Sequence, residues 1–270
     1  MEIILLILAG AVVYYLYVTL QEYLKNPIAP IPKDTNSQAS KFEEYDLSAD
    51  PYVNIDPLVK LRKTEQGLIV ALIGSFLNSS KKLENSKQDF IKNTLIDGLI
   101  ENMSENMNGF EDSKNALNKI LKAPDEDLQS LCKMFLQATY GEYKKSLKFV
   151  EFLFILAYVD GELDEEEKEN IIDIAAFLEL NNDDFNQIYD DFEKENLVEL
   201  TTTHSEALKI LDIQEPIEED VLEKKTQITI KNQIKSLLDI KNIGKSFAKN
   251  SFLKLKETQF AYNILSSKGN

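Results

Sequence analysis

The sequence predicts an all-α fold in three parts: an N-terminal transmembrane helix, a helical bundle and a C-terminal helical segment. Three observations predict it. From Pro57 to about Glu195 the apolar residues recur at helical spacing, with no strand alternation. Five of the seven prolines fall between Pro27 and Pro57, so the rest of the chain is nearly free of helix breakers. Apolar and charged fractions of 43% and 28% are those of an ordinary folded protein, and 270 residues suffice for one or two domains with a real core.

Ile3 to Leu20 carries no charge and is interrupted in polarity only by Thr19. As a helix its eighteen residues span roughly 27 Å, enough for a bilayer core of about 30 Å. Tyr14, Tyr15 and Tyr17 cluster where an interfacial aromatic belt would lie. The chain opens Met1-Glu2 rather than with the positive start of a signal peptide, so the run reads as a retained anchor over residues 1–25. Lys25, Lys33 and Lys41 follow the span and no lysine or arginine precedes it. The positive-inside rule then puts the N-terminus outside and the body on the cytoplasmic face of an inner membrane. Its only glycine is Gly10, so no GxxxG pattern argues for pairing, and the oligomeric state is left open.

Residues 26–57, rich in Pro, Ser, Asn and Asp, read as a semi-extended linker. Helices are expected near 58–78, 85–104, 111–122, 125–140, 143–159, 164–179 and 182–194, forming one domain over 58–200. The run Leu68–Leu77 is too short to cross a membrane, and Lys148 and Glu151 interrupt the apolar stretch 147–159. Both are expected as buried central helices. Cys132 is the only cysteine, which excludes an intramolecular disulfide and suits a reducing compartment. Its apolar surroundings predict a buried, inert thiol.

One turn stands out. An apolar helix ends at Val159, Asp160-Gly161 supplies the turn, and Asp164 is placed to cap the next helix. Glu167, three residues on, is the expected partner in a capping box. Asp160, Glu162 and Asp164 are also candidate metal ligands, because alternate carboxylates open calcium-binding loops. Such a loop needs Gly at its sixth position and Glu at its twelfth; here these are Glu165 and Ile171, so it is not an EF-hand.

With Leu163, Ile171, Ile174, Ala175, Leu178, Leu180 and Phe185, this turn resembles the TerB-like family. Those all-α modules have two related halves, each with a helix ending in an Asp-Gly turn. The resemblance covers about 130 residues, and its first half is degenerate: Phe76-Leu77-Asn78-Ser79-Ser80 stands where Asp-Gly belongs. Acidic patches in such proteins have been linked to divalent ions.

The charge is uneven. Net charge is −16, yet residues 224–270 hold ten lysines against Asp239 and Glu257, leaving −24 on residues 1–223. This predicts either an acidic body with a basic binding tail or two regions that pack against each other. Within 201–270, Ala207-Leu208-Lys209-Ile210-Leu211-Asp212-Ile213 resembles the opening of a J-domain. Ile230 to Leu238 resembles its basic second helix, and Ala261-Tyr262-Asn263-Ile264-Leu265 its closing helix. A stretch from Gln214 to Thr229 separates the first two. Leu238-Asp239-Ile240 occupies the His-Pro-Asp position, and the single histidine, His204, lies well upstream.

Anchor, TerB-like bundle and J-like segment in this order resemble the membrane-anchored DnaJ-like co-chaperones of the DjlA type. The resemblance implies a non-enzymatic adaptor or regulator in protein folding or envelope stress. Its implied partner is a DnaK-type chaperone or another acidic protein, contacted through Lys231, Lys235, Lys241 and Lys245. Without His-Pro-Asp, stimulation of ATP hydrolysis by the usual mechanism is not expected. A TerB-type stress scaffold or ion-responsive module is the alternative, and contact of the basic tail with anionic lipid is a third. No cofactor is expected. No phosphate loop, nucleophile elbow or second histidine supports catalysis, and no recognition module supports nucleic-acid binding.

Overall fold

Helices follow the expected spacing almost turn for turn. The computed structural model describes residues 14–17, 56–79, 86–105, 107, 109–159, 163–238 and 245–267, and these contain helices and no strand. The chain divides into two units, residues 1–54 and 55–270. In the first, only residues 14–17 are described, and they are helical (α1). The rest of the apolar run 3–20 and the linker up to residue 55 lie outside the described residues. Among the described residues no helix is long and apolar enough to cross a membrane.

The second unit holds α2 (Pro57–Arg62), α3 (Glu65–Ser79), α4 (Ser86–Ser104), α5 (Phe110–Lys122), α6 (Leu128–Ala138), α7 (Tyr143–Tyr158), α8 (Glu165–Phe177), α9 (Asn182–Asn196), α10 (His204–Ile210), α11 (Glu219–Leu238) and α12 (Lys245–Ser266). Two differences from expectation have plain causes. The first expected helix is broken at Lys63-Thr64. Thr64 Oγ1 donates to the Leu61 carbonyl and accepts from the Gly67 amide, closing one helix and capping the next. Residues 219–229, expected as a connection, form the first half of α11. Leu222, Thr226 and Ile230 are buried at four-residue spacing, a helical stripe that overrides the β-branched composition.

The core lies around α3 and α7. α3 packs on α2, α5, α6 and α8, and α7 on α8, α9 and α11. In α7 every residue from Lys148 to Tyr158 is buried, as the apolar run requires. The two interrupting charges neutralise each other there: Lys148 Nζ donates to Glu151 Oε2 at 3.0 Å. Burial pushes the Glu151 carboxyl above its ordinary value, and Lys148 opposes this. Burial also pushes the Cys132 thiol up to about 12, so the thiolate is not formed near neutral pH.

The C-terminal helices complete the same unit. α10 and α11 both pack on α12. Gln233 donates to Thr258 Oγ1 at 3.1 Å, while Glu219 and Glu223 of α11 act electrostatically on Tyr262, so α11 and α12 run antiparallel. Phe252 meets the α9 ring of Phe192 edge-on at 5.0 Å and the α7 ring of Tyr158 at 6.2 Å. Tyr262 stacks on Phe90 of α4 at 4.9 Å. Ala261, Tyr262 and Leu265, which carry the closest local resemblance to a J-domain, are all buried packing residues.

Candidate functional site

Two regions were singled out by sequence, the acidic turn and the lysines of the tail. At the turn, Asp160, Gly161 and Glu162 lie outside the described residues. Asp164 is the N-cap of α8, accepting from the Glu167 amide at 2.6 Å. The Glu167 carboxylate, fully buried, is held by Lys92 of α4 at 3.1 Å. This carboxylate therefore ties α8 to α4, a role the sequence reading did not include. No group of three or more His, Cys, Asp or Glu side chains suited to a metal ion occurs among the described residues.

Among the lysines, Lys231 and Lys235 project from one side of α11 toward α4. Lys231 forms an ion pair with Glu101, and Lys235 Nζ lies 3.5 Å from Glu105. Lys114 of α5 flanks the first pair, 3.9 Å from Glu101. The hydrogen bond from Lys231 is the main cause that holds the Glu101 carboxyl below its ordinary value; burial opposes it, and the positive charges of Lys231 and Lys114 reinforce it. Lys241 lies outside the described residues, and Lys245 opens α12. The structure therefore brings Lys231 and Lys235 together on the acidic edge of the body.

Close approach of α11 to α4 depends on Gly98. A Cβ there would fall 2.3 Å from Ile234 Cδ1, so the missing side chain is the space that Ile234 fills. Sequence reading missed Gly98, Glu101 and Glu105, whose only local signal is a four-residue carboxylate spacing on a helix.

A second link was also missed. The Lys256 ammonium donates to the carbonyls of Glu195, Asn196 and Val198 at 3.1, 2.8 and 3.3 Å. It thereby caps the negative C-terminal end of α9 with a cation from α12. Burial pulls its pKa below the ordinary lysine value, and Glu195 opposes this. His204 is the first residue of α10, and Thr203 is its N-cap, with a complete capping box to Glu206. His204 Nε2 lies 3.0 Å from Glu215 Oε1.

A cavity of about 240 Å³ lies between α3, α4, α6 and α7, with Ile69, Met103 and Phe149 in its lining. The two lysines on its wall are already ion-paired, Lys145 with Glu65 at 2.6 Å and Lys148 with Glu151.

Among its described residues the body is all-helical, with an Asp-capped α8 and an added C-terminal hairpin. Residues 96–190, from within α4 to within α9, match the family model described as Tellurite resistance protein TerB. This supports a TerB-like protein. No curated protein sequence matches the chain, and no solved structure does.

Proposed function

We propose that the protein is a membrane-tethered adaptor of the DjlA/TerB-like type. It holds a J-like hairpin on the cytoplasmic face of the inner membrane and does not stimulate a DnaK-type ATPase through His-Pro-Asp. The observation that carries this reading is the arrangement of α10, α11 and α12. A short helix and an antiparallel pair pack together, and the connection after Leu238 falls at the tripeptide position. Tethering rests on the uncharged run Ile3–Leu20 and on lysines that follow it. A non-catalytic role agrees with the inert Cys132 and with a single histidine. Lys231, Lys235, Lys241 and Lys245 are the proposed contact set for an acidic partner, and binding through them weakens as salt rises.

The test is single-turnover ATP hydrolysis by a DnaK-type chaperone with the full chain in phospholipid nanodiscs. A second chain carries Leu238→His, Asp239→Pro and Ile240→Asp. The natural chain is expected to bind without accelerating hydrolysis, and the restored chain to accelerate it. Absence of binding by both chains would refute the adaptor reading.

A second reading, a TerB-type stress scaffold responsive to divalent ions, draws on the same family match over residues 96–190. It predicts a calcium-dependent rise in Tm that disappears when Asp160, Glu162 and Asp164 are replaced by Asn, Gln and Asn.

A further inference from the structure

We propose that the acidic edge of α4 masks the lysine face of α11, so that the hairpin's docking surface is self-covered until an acidic partner competes for it. This rests on the adaptor reading and adds its regulation. The two faces match in register. Glu101 in the last turn of α4 and Glu105 just past its end are four residues apart, Lys231 and Lys235 are four apart on α11, and each lysine meets one carboxylate. Lys114 stands beside Glu101 at 3.9 Å, so this carboxylate has a second cation besides Lys231.

The outer pair of this contact, Lys235 with Glu105, is open to competition, whereas the Glu101 oxygen that meets Lys231 is buried. The side chains of Lys235 and Glu105 are 67% and 50% exposed, and those of Lys231 and Glu101 are 40% and 28% exposed. Exposed pairs of this kind are weak and screened by salt. The apolar part of the contact does not depend on these charges: Ile230 and Ile234 are fully buried, and Ile234 is seated against Gly98. Meanwhile α12 is held to the body independently, by Phe252 among the rings of α7 and α9 and by Lys256 on the end of α9. Exchange of the two carboxylates for those of a partner therefore leaves the hairpin attached. The partner that fits carries carboxylates one helical turn apart, about 6 Å, the spacing that α4 itself offers.

The experiment measures binding of polyglutamate, an acidic probe that assumes no partner, to the full chain in zwitterionic nanodiscs. Glu101→Gln with Glu105→Gln is expected to bind about fivefold more tightly than the natural chain, on the order of what two weak ion pairs supply together. A charge-matched control, Glu111→Gln with Asp112→Asn on the exposed side of α5, is expected to leave affinity unchanged. Adding Lys231→Gln and Lys235→Gln to the unmasked chain is expected to abolish the gain. Circular dichroism and Tm establish that each variant folds. Equal affinity of the natural and unmasked chains would overturn the proposal, as would a gain that survives loss of both lysines. The same chains are then tested with a DnaK-type chaperone. A gain for polyglutamate without chaperone binding refutes the adaptor reading and leaves the mask standing.

Discussion

Gly74 lies where α3 meets α5, and a Cβ there would fall 2.2 Å from the Leu121 carbonyl oxygen. Backbone cannot swing aside as a side chain can, so the two helices must separate. Ala in mid-helix would otherwise gain about 1 kcal/mol over Gly. Overpacking of this kind costs about 1–3 kcal/mol and outweighs it. Gly74→Ala is accordingly expected to destabilise the protein by about 1 kcal/mol net, read from the denaturant midpoint. Glu101 shows its role in pH dependence. Its folded-state pKa lies below the ordinary 4.5, so its contribution is complete above the unfolded-state pKa and is lost as pH falls through the folded value. Glu101→Gln is expected to flatten the acid limb of stability as pH falls below the ordinary glutamate value, measured by urea unfolding at stepped pH. Sequence alone singled out Lys231 and Lys235 as candidates and offered no sign of the carboxylates they pair with. Each pair joins residues 130 apart in the chain, a distance over which no local pattern operates.

At the scale of elements the sequence was most legible where one physical signal dominated. The apolar length of α7 and the Asp164 cap of α8 located both helices within a residue or two. The break between α2 and α3 was hidden because Thr64 acts through its hydroxyl, which leaves the apolar period intact. The first half of α11 was hidden for the opposite reason. Its Thr and Ile residues favour strands and loops intrinsically, and burial of Leu222, Thr226 and Ile230 against neighbouring helices decides the conformation. The acidic turn was legible as a cap, whereas the tie from Glu167 to Lys92 depends on where α4 lies in space.

At the scale of the molecule, the uneven charge of the sequence supported two outcomes, a free basic tail or a tail packed on an acidic body. The fold takes the second form at α11 and α12. Lys256 on the end of α9, Tyr262 on Phe90, and the pairs formed by Lys231 and Lys235 distribute the contact across both helices. Interfaces that share aromatic packing with the core open with the core rather than separately. The central claim is therefore that body and hairpin are one folded unit whose lysine face is covered. Amide hydrogen exchange of the full chain, followed by mass spectrometry, tests it most directly. Peptides from the buried turns of α11 and α12 are expected to exchange as slowly as those from α3 and α7. Rapid exchange throughout residues 219–266 beside a protected body would contradict the account and describe a tail that is free of it.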